Sequence, residues 1–316
     1  METVHVENTW STLNISQTHI TRYRAQYVRQ QCQVLSLIQR EGKGGDHMKL
    51  PISSVKSLGT KKILNVCVAP SRCQDSWRRL GRKAKSLISL KTSTPIPSVV
   101  SVQHPLARLA SCYRSKYMNG RPISEFASLQ KATKKWLETW RAFWLPALIS
   151  NNKIDYAPFN SSLQQLHKNQ TQPSHTILVN MVTEAYRDQE TDILGRHGTK
   201  NFTFEEFLHH VLWTHDFGFQ DPHWISVYDL CEPCARRYDH VVHMEAAREE
   251  VRDLLHLVHP PSPVNITLHP IKLPDFHMYL SLPKLLLDKI IQLYWLDFHL
   301  FGYSEQFISE SGRRVE

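Results

Sequence analysis

Two stretches of the chain gather charged and hydroxyl side chains where a strand runs into a helix. Residues 70–79 read Pro-Ser-Arg-Cys-Gln-Asp-Ser-Trp-Arg-Arg. Such a junction offers free backbone N–H groups and the positive end of a helix, which together hold anions. Arg72, Arg78 and Arg79 add charge, and Trp77 offers a flat face to a base or ring. The segment lacks the Gly-Lys-Ser/Thr of a Walker loop, so an ATPase of that type is unsupported. Taken alone, it also reads as an ordinary βα loop beneath a solvated basic helix. The second junction, residues 103–113, carries Arg108 and Ser111. Their spacing of three puts them on one helical face, where a guanidinium and a hydroxyl make a phosphate clamp. Each by itself is equally consistent with a surface helix residue.

A third stretch, residues 221–245, contains Cys231-Glu-Pro-Cys234 and His223 beside Trp224. The cysteine pair has the spacing of a redox dithiol or half a zinc site. A redox pair should precede a helix, whereas this one precedes a strand-like run; a zinc site needs a second pair that the chain lacks. A local structural role fits better. His223 reads as a candidate general base or as a plain loop residue.

The elements that must position these residues follow a βα rhythm. A mostly β-branched run over 63–68 reads as a buried strand ended by Pro70. A helix is expected over 77–87, then a Ser/Thr/Pro loop over 89–97. A second strand over 98–103 leads through His104-Pro105 into a helix over 106–117. Upstream, 21–38 reads as a basic helix within a polar stem-like region, residues 1–60, followed by a larger domain over 61–316. Downstream, 125–149 reads as an aromatic-rich helix and 151–174 as a polar surface loop. Thr203 with Glu206 makes a capping box, opening a helix whose apolar face is Phe207, Leu208, Val211 and Leu212. A short strand over 240–243 precedes a helix bearing Ala247, Val251, Leu254, Leu255 and Val258. The last helix is expected over 282–296.

Bulk properties narrow the class. The 316 residues are 41% hydrophobic and carry a net charge of +9, which is spread along the chain rather than collected in a tail. That balance permits a sizeable core and favours anionic partners such as phosphorylated nucleotides or acidic sugars. No nucleic-acid-binding motif is present, so a nucleic-acid partner is not expected. Glycine and proline are too few for collagen or low-complexity classes. No apolar run reaches membrane-spanning length, and residues 1–30 show no secretory h-region. Yet Asn14, Asn160, Asn169, Asn201 and Asn265 each open an Asn-X-Ser/Thr sequon, nearly half of the eleven asparagines, which argues for the secretory pathway. Six cysteines permit some disulfides, whose pairing the sequence leaves open.

In combination, these stretches resemble the Golgi carbohydrate sulfotransferases that act on chondroitin, dermatan and related glycans. The family's donor loop reads roughly Pro-Lys-x-Gly/Ala-Cys-Thr-Asn-Trp-Lys-Arg and is similar to residues 70–79. Its second block, Val-Arg-His/Asp-Pro-Phe-x-Arg-Leu-x-Ser-Ala-Tyr, is similar to residues 102–113. Its His-Trp…Leu-Cys-x-Pro-Cys…Tyr-Asp…Glu block is similar to His223-Trp224, residues 230–234, Tyr238-Asp239 and Glu245. Its closing Tyr…Asp-Phe-x-Leu-Phe-Gly-Tyr block is similar to Tyr294, Asp297-Phe298 and residues 300–303. Four blocks in order are specific where one would be weak.

The resemblance implies an α/β, P-loop-like fold, with a parallel sheet of about four or five strands flanked by helices and the donor across the carboxyl strand ends. It implies transfer of a sulfuryl group from 3′-phosphoadenosine-5′-phosphosulfate (PAPS) to a glycan hydroxyl, without a metal. Ser71, Arg72, Cys73, Gln74, Asp75, Ser76, Trp77 and Arg78 would face the 5′-phosphosulfate. Gln103, Arg108 and Ser111 would face the 3′-phosphate. His104, His223 and Glu245 are candidate bases. The family's members are lumenal Golgi proteins on a membrane anchor, and no such anchor is visible in this sequence. Two positions depart from the pattern: Ser71 stands where the family has Lys, and Gln103 where it has Arg. Loss of one cation facing a charged leaving group costs roughly 10²–10³ in rate by analogy with oxyanion-donor deletions. Two states therefore stay open: a divergent enzyme, or a catalytically impaired relative that binds acidic glycan or a partner enzyme.

Overall fold

The computed structural model describes residues 17–41, 65–69, 97–118, 134–169, 171, 173–198, 200–258 and 277–304. In chain order the elements are helix α1 (Gln17–Glu41), strands β1 (Asn65–Val68) and β2 (Ser98–Val102), and helix α2 (Pro105–Tyr113), whose last turn widens to π geometry over Arg114–Met118. Helix α3 (Lys134–Thr139) passes through a π stretch, Trp140–Trp144, into α4 (Leu145–Ser150). Then come α5 (Ala157–Lys168), α6 (His175–Ala185), α7 (Glu190–His197), α8 (Phe204–Asp216), α9 (Val227–Cys231), β3 (His240–His243), α10 (Ala247–Val258), α11 (His277–Leu280), α12 (Lys284–Leu293) and α13 (Trp295–Phe301). They form two units: Met1–Pro105 with Ser226–Leu273 and Tyr294–Glu316, and Leu106–Ile225 with Pro274–Leu293.

The first unit holds the sheet. Its strands run parallel in the order β1-β2-β3, with Val68 opposite Ser101 and Val102 opposite His243. Val99, Val100 and Val102 are at most 1% exposed, as expected of β-branched residues in a strand covered on both faces. Three strands are found among the described residues, where the sequence suggested about four or five. The α/β class, a small parallel sheet flanked by helices, holds.

Helix α1 is longer than the 21–38 run expected of it and packs on the sheet. Ala25 and Val28 join a core of Cys67, Val100, Val102, Val241 and Phe301. Thr21 Oγ1 lies 2.9 Å from His240 Nδ1, and Cys32 is bonded to Cys234. A second disulfide joins Cys67 on β1 to Cys231 at the end of α9. The domain boundary expected at residue 60, the helix over 77–87 and the loop over 89–96 lie outside the described residues.

The second unit is helical, around an aromatic core that includes Trp140, Trp144, Tyr117, Phe207 and Trp224. Both halves of the expected capping box are present: Glu206 N donates to Thr203 Oγ1 at 3.1 Å, and Thr203 N donates to Glu206 Oε2 at 2.8 Å. Two expectations fail. The stretch read as a polar loop contains α5, because Phe159, Leu163 and Leu166 recur at helical spacing and bury one edge of an otherwise polar run. The last helix expected over 282–296 is two helices, α12 and α13, broken at Tyr294. Asn160, Asn169 and Asn201 are exposed; Asn14 and Asn265 lie outside the described residues.

Candidate functional site

Because the three strands are parallel and level, the chain leaves all of them on one edge, at Ala69, Gln103 and Met244. Ligands of open parallel sheets sit at this carboxyl edge. Gln103, His104 and Glu245 are thus brought together there from positions far apart in sequence. The loop after β1, with Ser71, Arg72, Cys73, Gln74, Asp75, Ser76, Trp77 and Arg78, lies outside the described residues.

At this edge, His104 N donates to Glu245 Oε1 at 2.9 Å, across 141 residues of chain. Tyr303 donates its hydroxyl to Glu245 Oε2 at 3.1 Å. His104 Nε2 sits 3.2 Å from the Ser304 carbonyl; a carbonyl only accepts, so Nε2 carries the proton. The His104 ring meets Phe298 and Tyr303 edge-on. Burial pushes the His104 imidazole down to about 4, so it is neutral near pH 7. Burial raises the Glu245 carboxyl, and the His104 N–H and Tyr303 hydroxyl pull against that rise.

A second carboxylate lies just behind. Glu250, fully buried, accepts from Arg24 Nη1 at 2.7 Å and from His243 N at 2.9 Å. The His243 ring stacks on Tyr303 at 4.6 Å. Asp297 accepts from the backbone N–H groups of Val227 and Tyr228 at 2.8 Å each, fixing the start of α9. That helix carries Cys231, and both cysteines of the 231–234 pair are spent in disulfides with Cys67 and Cys32. Among the described residues no group of three or more His, Cys, Asp or Glu side chains could hold a metal ion.

The second unit holds the remaining candidates. Arg108, in the first turns of α2, is 2% exposed, and its Nη2 donates to the Ile225 carbonyl at 2.5 Å. Ser111, three residues on, is half-buried. Ile225 closes a tight turn: its N–H and that of Trp224 both donate to the Asp221 carbonyl, at 2.8 and 3.0 Å. His223 sits inside that turn. Its Nδ1 is 2.5 Å from Asp221 Oδ1, and its backbone N–H donates to the same oxygen at 2.6 Å. The other Asp221 oxygen is 2.9 Å from His175 Nε2.

Burial opposes the charge on Asp221, but hydrogen bonds from His175 and His223 outweigh it and hold the carboxyl far below the ordinary carboxylate range. Burial likewise lowers His175, and Asp221 more than offsets this, so its imidazole is raised. His175 is also placed by the backbone. Pro146 has no N–H to give to the carbonyl four residues earlier, that of Ala142, and His175 Nε2 lies 3.2 Å from that oxygen. An open groove of about 450 Å³, lined by Glu138, Arg141, Val179, Asn180, Thr183 and Glu184, contains none of these residues.

A family model described as Sulfotransferase family matches residues 59–304. The chain belongs to the sulfotransferase family. It is a divergent member of that family. It is similar to carbohydrate sulfotransferase 14 of Homo sapiens, 35% identical over 107 residues, which are 32% of this chain and 28% of that protein. It is also similar to carbohydrate sulfotransferase 12 of Mus musculus, 26% identical over 277 residues, 85% of this chain and 52% of that protein. The chain spans about half or less of the length of these curated relatives. No solved structure matches it. Among the described residues no helix is long and apolar enough to cross a membrane.

Sequence reasoning missed Asp221, His175, Tyr303, Glu250 and Arg24. Asp221 carried a usable signal, since an Asp two residues before His223 can bond its backbone N–H. His175 carried none, because its contact depends on tertiary packing.

Proposed function

We propose that the chain is a PAPS-dependent carbohydrate O-sulfotransferase acting on an acidic glycan of the chondroitin, dermatan or N-glycan kind. The match to the sulfotransferase family across residues 59–304 carries this reading. The parallel strands support it, because they end level and leave one edge free for a nucleotide at the two strand–helix junctions. In this reading residues 61–316 form the catalytic domain. Residues 1–60 precede it as a stem whose helix α1 packs on the sheet through Ala25 and Val28 and is bonded to the turn before β3 by Cys32–Cys234.

Arg108 and Ser111 fit the donor's 3′-phosphate in kind: a buried guanidinium and a hydroxyl near the start of a nine-residue helix. Gln103, at the end of β2, would face the same group as a neutral donor. Residues 71–78 would cradle the 5′-phosphosulfate, with Arg72 or Arg78 supplying the charge that Ser71 lacks. The net charge of +9 suits both the donor and an acidic acceptor. Two disulfides and three exposed sequons, at Asn160, Asn169 and Asn201, support glycosylation and residence in an oxidising lumen, that of the Golgi by kinship. A membrane anchor is part of the same expectation.

A specific observation favours a second reading. Ser71 and Gln103 both remove positive charge from the donor's surroundings, as they would in a relative that only holds glycan or assists a partner enzyme. Calorimetric titration with PAPS and with its desulfated product, followed by transfer of labelled sulfate to a glycan panel, separates the two. Binding with transfer supports the enzyme. Glycan binding without nucleotide binding supports the impaired relative.

A further inference from the structure

We propose that His223 is the base that accepts the proton of the acceptor hydroxyl, and that Asp221 and His175 are the positioning residues that hold it ready. The inference rests on the sulfotransfer reading above and names the group that performs its proton transfer.

The three histidine and glutamate candidates differ in which atoms they leave available. His104 gives its Nε2 proton to Ser304, and its Nδ1 is buried. Glu245 receives a donor at each oxygen, His104 N at one and the Tyr303 hydroxyl at the other. His223 is different. Its side chain is 28% exposed, and among the described residues its Nε2 makes no hydrogen bond. Asp221 is ionised and can only accept, so the 2.5 Å contact places the proton of His223 on Nδ1. Neutral His223 therefore carries its lone pair on Nε2, the outward nitrogen. A carboxylate that fixes the tautomer and orientation of an imidazole is the arrangement by which proteins build a general base.

The carboxylate is itself held. Asp221 is 1% exposed and cannot swing to solvent. His175 occupies its far oxygen and also lies 3.2 Å from the Ala142 carbonyl. Phe143 packs edge-on against His223, with ring centroids 5.5 Å apart, and limits its rotation. Arg108, expected at the 3′-phosphate, donates to the carbonyl of Ile225, two residues after His223. Arg108 is thus tied to the turn, Asp221 to Ile225, that carries His223.

The step balances without another reactant. The sugar oxygen uses an electron pair to bond sulfur as its proton passes to His223 Nε2. The bond from sulfur to the bridging oxygen breaks, and that oxygen keeps the pair and departs on the nucleotide. No oxidant or reductant is involved.

The test uses the full glycosylated chain, labelled with ¹⁵N-histidine, with PAPS as donor and a chondroitin or dermatan acceptor. Native His223 should show an Nδ1–H, Nε2-lone-pair spectrum. His223→Ala should lose on the order of 10²–10⁴ in kcat, keep its affinity for the desulfated nucleotide, and regain part of the rate with added imidazole. Asp221→Asn should cause a similar loss and shift the His223 tautomer, whereas His175→Gln should cause a smaller one. A native Nε2–H spectrum overturns the inference even where a variant fails to fold. So does His223→Ala at full rate, or with loss of nucleotide affinity equal to its loss of rate. A folded native chain that binds no nucleotide and transfers no sulfate overturns the sulfotransfer reading and this inference with it; an active chain indifferent to His223 overturns this inference alone.

Discussion

The strand-end cluster and the Asp221 turn are built from the same residue types, yet they are finished differently. At the strand ends, Glu245 and Glu250 are carboxylates whose every oxygen has a protein donor, and His104 gives its proton to a neighbouring carbonyl. At the turn, Asp221 is just as fully engaged, but the imidazole it holds keeps one nitrogen open. A network whose carboxylate oxygens all have donors fixes shape, because each buried acceptor left alone costs as much as a lost hydrogen bond or more. A network with one open atom directs that atom. Substitutions in the first should therefore be read in stability, and substitutions in the second in rate.

The sharpest contrast is the largest in effect. His223→Ala should lower kcat by about 10²–10⁴ with little change in melting temperature; a comparable loss of melting temperature would erase the contrast. Next comes the disulfide between Cys67 and Cys231, which closes a separation of 164 residues. Replacing both by Ser should cost roughly 2–5 kcal/mol in denaturant unfolding, because the unfolded chain regains its freedom. Glu245→Ala follows. It strands the His104 N–H and the Tyr303 hydroxyl in the interior, for about 2 kcal/mol or more. Nucleotide affinity in the fraction that stays folded should be retained. A Glu245→Ala chain of native stability that transfers no sulfate would move the base to the strand ends.

The last effect is an acid one. His104 is held at about 4 in the folded chain against about 6.5 unfolded, with His240 likewise at about 4. A folded value below the unfolded one means that this stability is complete above the unfolded value, and is lost as pH falls through the folded one. Urea midpoints should therefore drop between pH 6.5 and pH 4, and His104→Gln should flatten the drop.

The elements that carry these residues were legible to different degrees. Strand β2 stood out because Val99, Val100 and Val102 make a short β-branched run between turn signals. Helix α8 stood out because Thr203 and Glu206 form a local cap. Helix α5 was hidden by its own composition: asparagine, serine and glutamine dominate it, and only Phe159, Leu163 and Leu166 mark the buried edge. The break at Tyr294 was hidden for the opposite reason, since apolar residues continue across it. The candidates themselves were named by type, but their sorting was not legible. Whether Glu245 is open or closed depends on Tyr303, 58 residues away, and whether Asp221 is steady depends on His175, which no spacing links to it. Disulfide partners were hidden in the same way, because Cys32 and Cys67 lie 202 and 164 residues from their mates.

In the function proposed above, this divergent member of the family still transfers sulfate although Ser71 and Gln103 replace two cations of the family pattern. The most direct measurement is transfer of ³⁵S-sulfate from PAPS to a panel of chondroitin, dermatan and N-glycan acceptors by the folded, glycosylated chain. Calorimetry of the desulfated nucleotide on the same sample reports donor binding. Nucleotide binding and label on at least one acceptor are expected, both lost in Arg108→Ala. A folded sample that does not bind the nucleotide and labels no acceptor would contradict that function.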